Sequence, residues 1–172
     1  MAISDIPLLV EELARSLRDR GETVSFAESC TGGLLSSMVT AVAGVSDIYL
    51  GSIVAYSYPV KVSELGVTPA ILSSMGAVSL PVARQMAVGV RDRLGSTWSV
   101  SITGIAGPGG GTPQKPVGTV CFGISGPGVE KVKQRLFGGD RRAIQEASAE
   151  FALGLLLSEL GAELGVSEDF GS

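Results

Sequence analysis

The strongest constraint on the fold is an alternation. Apolar residues recur at helical spacing, then crowd into short β-prone runs, and the cycle repeats along the chain. Leu9, Val10, Leu13, Ala14 and Leu17 fall three and four residues apart, with Pro7 in the first turn and Gly21 past the end. This pattern predicts a helix over about 6–20. Thr23 to Ala27 is β-branched and apolar, hence a strand. A polar turn, Glu28 to Gly33, leads into a helix over 34–42 with Leu35, Met38, Val39 and Val42 on one face. The run 48–57 predicts a second strand, followed by short helices near 59–65 and 69–75. Ser79 is placed as the cap of a longer helix that ends at Leu94, before Gly95. A third strand covers 98–103 and a glycine-rich loop 104–116. The runs 117–125 and 129–137 are joined by Gly126-Pro127-Gly128, a hairpin by turn chemistry. The last helix is read from an Asp140 cap to about Leu164, leaving 165–172 as a frayed tail.

This order predicts an α/β chain, a three-layer α/β/α sandwich on a mixed, mostly parallel sheet of about five strands. With no repeat and no dividing linker, residues 1–164 are expected to form one domain. Ligands of such sheets bind beyond the carboxyl ends of the parallel strands. Strand one ends at Glu28-Ser29-Cys30-Thr31-Gly32-Gly33, strand two at Tyr56-Ser57 with Lys61 shortly after, and strand three at Thr103-Gly104. If the three strands run parallel, these groups share one rim.

Composition now narrows the chemistry. The chain has no histidine, which removes Ser-His-Asp triads, Cys-His dyads and imidazole metal sites. No metal and no cofactor are expected. Thirteen Lys and Arg against 17 Asp and Glu, with a pI near 4.8, argue against a nucleic-acid partner. No stretch approaches the roughly 18 consecutive apolar residues of a membrane span, so no membrane partner is expected. The N-terminus lacks the pattern of a signal peptide, and two cysteines are too few for a disulfide framework. A cytoplasmic location is therefore expected.

Ser29 is a candidate nucleophile. A serine hydroxyl needs a nearby base, and without histidine the nearest one on this rim is Lys61. Burial or a positive potential would have to lower the lysine pKa toward neutrality. The helix start after Gly32-Gly33 would supply such a potential, and N–H groups for an oxyanion. Ordinary explanations stand beside these. Ser and Thr before a helix are commonly caps, and lysines near strand ends are commonly solvated. Cys30 is a rival nucleophile, but its position also fits a buried, inert thiol. Cys121 alternates with core positions and reads as packing. The glycines of 104–111 could wrap a phosphate or form a plain surface loop. Arg141 and Arg142, at the start of the last helix, suit a phosphate or carboxylate, or simple solvation.

Five blocks together resemble the CinA C-terminal domain family. They are Ala27 to Gly33, Tyr56-Ser57 with Lys61, Gly76 to Ser79, Thr103 to Gly111 and Lys115 to Thr119. The family contains amidases that hydrolyse nicotinamide mononucleotide to nicotinate mononucleotide and ammonia, in pyridine-nucleotide salvage. The resemblance implies a metal-free Ser/Lys mechanism with Ser29 as nucleophile and Lys61 as its base. It implies that Tyr56 orients Lys61 or the amide, and that Thr31, Gly32, Gly33 and Thr103 line the site. It further implies that Gly104, Gly107, Gly109 and Arg141 hold the nucleotide phosphate or its surroundings, and that the turn at Lys115 closes the pocket. The chain departs from the family at Tyr58-Pro59, where Asn-Glu is usual: Pro59 stiffens the approach to Lys61 and takes a carboxylate away from its vicinity. A domain that binds a nucleotide or partner without turnover is the alternative. Finally, Leu153, Leu156, Leu157 and Leu160 give the last helix more apolar width than one core contact needs, so a homo-oligomer, a dimer, is expected.

Overall fold

The computed structural model describes residues 6–162. The elements are α1 (Ile6–Arg20), β1 (Val24–Glu28), α2 (Leu34–Thr40), β2 (Tyr49–Val54), α3 (Tyr58–Leu65) and α4 (Pro69–Met75), followed by α5 (Leu80–Leu94), β3 (Trp98–Gly104), β4 (Thr119–Gly126), β5 (Val129–Leu136) and α6 (Arg141–Glu159). They form an α/β fold on one five-stranded sheet of order β2-β1-β3-β4-β5. β1 pairs parallel with both β2 and β3, whereas β4 is antiparallel to β3 and to β5. The first three strands therefore end on one rim.

Two cores flank the sheet. Val24, Phe26, Val100, Ile102 and Phe122 pack on one face beneath α1, α2 and α6. The other face is built from small residues. Ser99 and Ser101 donate their hydroxyls to the carbonyls of Ala87 and Ala83, both at 2.6 Å, which seats α5 on the sheet. Gly123 completes this contact, because a Cβ there would lie 2.3 Å from the Ala83 carbonyl oxygen. Strand alternation thus sorts bulky residues to one core and small polar ones to a close helix contact.

β1 leads over the α1/α2/α6 face into β2, and β2 returns over the opposite face through α3, α4 and α5 into β3. The chain thus leaves β1 on one side and re-enters beside it from the other. Such a switch point opens a crevice at the carboxyl ends of β1 and β3.

Several element limits differ from the sequence reading. β2 stops at Val54, where its register with Glu28 ends, and the chain then turns into α3. Ser79 stands at the start of α5 without capping it: its hydroxyl donates to the Gly76 carbonyl at 2.9 Å. Pro81 lies in the first turn and has no N–H to cap. α6 ends at Glu159, and both Leu164 and the tail 165–172 lie outside the described residues. Leu153, Leu156, Leu157 and Leu160 are all buried in the core beside α1 and the sheet. Their width is consumed inside the chain, so they cannot serve as the dimer face they were expected to be. No described helix is long and apolar enough to cross a membrane.

Candidate active site

Ser29 is the first residue beyond β1, and three contacts hold it. Its N–H donates to the Ile102 carbonyl at 3.0 Å, and its carbonyl accepts from Gly32 N–H at 3.0 Å. Its hydroxyl meets Lys61 Nζ at 2.8 Å. Gly32 (φ 58°) and Gly33 (φ 100°) then bend the chain through left-handed backbone into α2, a path that side-chain-bearing residues rarely take.

Lys61 comes from the first turns of α3, one β-α-β step from Ser29. Pro59 lies in that first turn, where its fixed φ favours the helix and its missing N–H costs nothing. The Lys61 side chain runs inward and is only 1% exposed. Besides Ser29, Nζ donates to the Ala55 carbonyl at 2.6 Å. Both partners are neutral. Burial lowers the ammonium pKa from the ordinary 10.5 to about 8, while the nearby Cys30 thiol pulls it the other way. An unpaired buried ammonium is disfavoured, and the neutral amine is the form that can accept a proton. Lys61 is therefore not the solvated lysine that its position near a strand end also allowed.

The pair opens on a cavity of about 260 Å³. Of the residues singled out from sequence, Ser29, Lys61, Tyr56, Thr103, Gly104, Gly107, Gly109 and Arg141 line it. Thr103 donates its hydroxyl to the Ala77 carbonyl at 2.9 Å, fixing the segment between α4 and α5 as one wall. Arg141 Nε donates to the Gly107 carbonyl at 2.8 Å, tying the start of α6 to the glycine loop. Arg141 also borders a second cavity of about 630 Å³, which it shares with Arg142 and Gln145. Arg142 pairs with Glu146 on the surface at 2.6 Å.

Four expected site residues lie elsewhere. The Thr31 hydroxyl is committed to Glu28, at 2.8 Å, and does not face the cavity. Gly32 and Gly33 shape the turn beneath Ser29 and are absent from the cavity wall. Lys115 donates Nζ to the Met75 carbonyl at 2.7 Å, and so fastens the loop to the end of α4 without entering the pocket. Tyr56 is mostly exposed at the mouth, and the main-chain contact on Lys61 is made by its neighbour Ala55.

The α2 N-terminus also departs from expectation. Its N–H groups were expected to face an oxyanion. Instead the Glu28 carboxylate takes those of Gly33 (3.1 Å), Leu35 (3.0 Å) and Ser36 (2.8 Å), with the hydroxyls of Thr31 (2.8 Å) and Ser36 (2.7 Å). Glu28 is fully buried. Its role was missed, although an acidic residue just ahead of a Gly-Gly helix start is the kind that a helix dipole favours. Two further contributors were missed. Tyr58 lines the cavity and accepts the Ala77 N–H on its phenol oxygen at 3.2 Å. Gln145 donates to the Cys30 carbonyl at 2.9 Å.

Cys30 borders the cavity, but burial pushes its thiol up to about 12, which leaves almost no thiolate at neutral pH. Cys121 is fully buried in β4, and both cysteines are free. Among the described residues, no group of three or more Cys, Asp or Glu converges as a metal site.

Comparison with known proteins agrees with this arrangement of elements. The CinA-like protein of Trichormus variabilis is 50% identical over 155 residues, covering 88% of this chain. That of a Cyanothece species is 51% identical over 160 residues, covering 91%. The chain spans only 37% and 38% of the length of those two relatives. A CinA superfamily protein of Escherichia coli has a solved structure that superimposes with a TM-score of 0.88 at 33% identity, covering 92% of this chain and 93% of that one. The competence/damage inducible protein of Agrobacterium tumefaciens gives 0.86 at 37% identity, covering 91% and 96%. A family model described as the CinA C-terminal domain matches residues 8–160. The chain belongs to the CinA C-terminal domain family.

Proposed function

We propose that this chain is an amidohydrolase that converts nicotinamide mononucleotide to nicotinate mononucleotide and ammonia through a Ser29–Lys61 dyad. One observation carries the reading: a fully buried lysine, unpaired with any charge, holds its Nζ 2.8 Å from a serine hydroxyl inside a cavity. When Lys61 is neutral, the same contact turns round and the hydroxyl donates to the amine. Nζ then takes the proton as Oγ attacks the carboxamide carbon, giving a tetrahedral oxyanion. Collapse of that intermediate breaks the C–N bond, and Lys61 returns the proton to the leaving ammonia. Water attacks the resulting acyl-serine, giving its proton to Lys61, which passes it back to Oγ as the acid departs.

With the α2 donors held by Glu28, the backbone N–H groups of Ala106, Gly107, Gly109 and Gly110, on the facing wall, are those we assign to the oxyanion and the phosphate. Arg141 is our assignment for the phosphate. Two arginines in the first turn of a 19-residue helix oppose its dipole, a cost that a bound anion would offset. Tyr56, at the mouth, is our assignment for orienting the amide, and Tyr58 brings to the wall a ring where the family usually has Asn. We also propose a cytoplasmic homodimer. Its remaining support is the edge strand β2, where Leu50 and Val54 stand exposed. Light scattering at micromolar protein that returns a monomer would remove that part of the reading.

Ammonia release from nicotinamide mononucleotide tests the activity. Wild type should turn over, and Ser29→Ala and Lys61→Ala should not. Full turnover by Ser29→Ala would transfer the chemistry to another nucleophile. Binding of the nucleotide without any ammonia would favour a non-catalytic domain.

A further inference from the structure

The buried carboxylate of Glu28 takes no part in the chemistry above, yet it is the most heavily bonded side chain beside the site. It accepts five hydrogen bonds, two on Oε1 and three on Oε2, from Thr31, Gly33, Leu35 and Ser36. None of these comes from a Lys or Arg, so main-chain and hydroxyl dipoles and the positive end of α2 stabilise the charge. The main chain of Glu28 is held on both sides, in register with Val54 of β2 and Ile102 of β3. Its carbonyl accepts from Ala55 N–H at 2.8 Å, and the Ala55 carbonyl in turn accepts from Lys61 Nζ at 2.6 Å. One residue thus reaches both members of the dyad: its side chain clamps the turn that presents Ser29, and its main chain holds the residue that anchors Lys61.

We infer that Glu28 is a positioning residue, which locks the Ser29 turn onto the sheet so that Oγ stays in register with Lys61 Nζ. The inference rests on the Ser/Lys reading. A carboxylate suits the place because five donors converge there and only an all-acceptor group satisfies them. The amide nitrogen of a glutamine would face two or three N–H and O–H donors and leave main-chain N–H groups buried without a partner. An aspartate, one methylene shorter, would not span from the strand end to the first turn of α2.

The experiment uses the full chain and two probes of Ser29. The first is a small sulfonyl fluoride, followed by intact mass. Oγ forms the S–O bond, fluoride leaves, and the serine proton passes to Lys61 and then to solvent. The second is ammonia release from nicotinamide mononucleotide, resolved into kcat and KM. In Glu28→Gln the rate of labelling and kcat should both fall roughly a hundredfold, as for a misplacement of about 1 Å. KM should stay within about twofold, because interactions that do not change on reaction are untouched. The pH midpoint of labelling should stay where wild type has it, which separates positioning from an electrostatic effect on Lys61. Thr31→Val and Ser36→Ala each remove side-chain donors only, and should slow labelling about three- to tenfold, the scale of one modest hydrogen bond. A folded Glu28→Gln that labels at the wild-type rate overturns the inference. If Glu28→Gln fails to fold, the two donor variants decide: slower labelling supports the clamp, and wild-type labelling in both overturns it. Wild type that labels without hydrolysing the nucleotide sinks the substrate alone, with Glu28 then judged on labelling. Wild type that neither labels nor hydrolyses overturns the dyad and this inference together.

Discussion

Two of the helices that begin near the cavity, α2 and α6, follow a pair of glycines. α6 follows Gly138-Gly139 and is capped in the ordinary way: Asp140 Oδ1, on the surface, accepts from Ala143 N–H at 2.9 Å. α2 follows Gly32-Gly33 and has no side-chain cap from the residue before it, Gly33. Its N–H groups are taken by Glu28, which belongs to the neighbouring strand and is buried. The α6 cap joins residues three apart and holds a helix end. The α2 cap joins a strand to a helix and sits under the turn that carries Ser29 to Lys61. A local cap stabilises an element, whereas one reaching from another element also sets geometry between elements.

The largest break of this comparison comes at the dyad. Ser29→Ala and Lys61→Ala should each lower ammonia release by about a thousandfold or more, since a nucleophile without its base is nearly inert. Glu28→Gln follows, with the loss given above. Next comes the α6 end: Arg141→Ala should raise KM for the mononucleotide about tenfold, the worth of one charge-assisted contact, with kcat little changed. The dephosphorylated nucleoside, lacking the group that Arg141 is assigned to hold, should show no such change. Asp140→Ala should cost about 1 kcal/mol, read as a melting temperature lower by about 2–4 °C, with kcat within about twofold. If Asp140→Ala damages kcat as much as Glu28→Gln does, the contrast between the two helix starts is wrong.

The pH dependence sharpens the same contrast. In the proposed mechanism Lys61 acts as the neutral amine, and burial lowers its pKa to about 8, so kcat/KM should rise with pH through about 8 and level off above. A rising limb near the free lysine value of about 10.4 would mean that Lys61 is not the base. The stability consequence has a definite sign. Folding lowers this pKa from 10.5 to about 8, so the folded state binds fewer protons between those values. The cost of burying the charge is fully present below pH 8 and disappears as pH rises toward 10.5. Lys61→Met should therefore melt above wild type at pH 7, with the gap closing as the pH is raised, the usual trade of stability for function.

Much of this site could be read from the residues alone, for reasons particular to them. Ser29 and Lys61 stand one β-α-β step apart, and parallel strands bring such positions to one rim whatever fills the core. Thr103 and Gly104 end the third strand and reach the same rim. What escaped was the direction in which neighbouring side chains turn. Thr31 has the composition of a site residue and the geometry of a clamp, because a buried carboxylate beside it outcompetes the cavity for its hydroxyl. The turn at Lys115 reads as a closure of the pocket, and the Met75 carbonyl claims the lysine instead. The leucines of α6 read as surplus surface, yet α1 and the sheet cover all four.

By itself the sequence determined the alternation of strands and helices, the absence of an imidazole base, and the turn chemistry that lets Gly32 and Gly33 follow a serine. These depend on periodicity and on backbone preferences acting within a few residues. Only the tertiary structure decided that Lys61 is buried and unpaired, that Glu28 fills the α2 N-terminus, and that Arg141 rather than Arg142 enters the smaller cavity. Those outcomes depend on sheet register and on depth below the surface. Both are set where distant segments meet and compete for the same hydrogen-bonding groups.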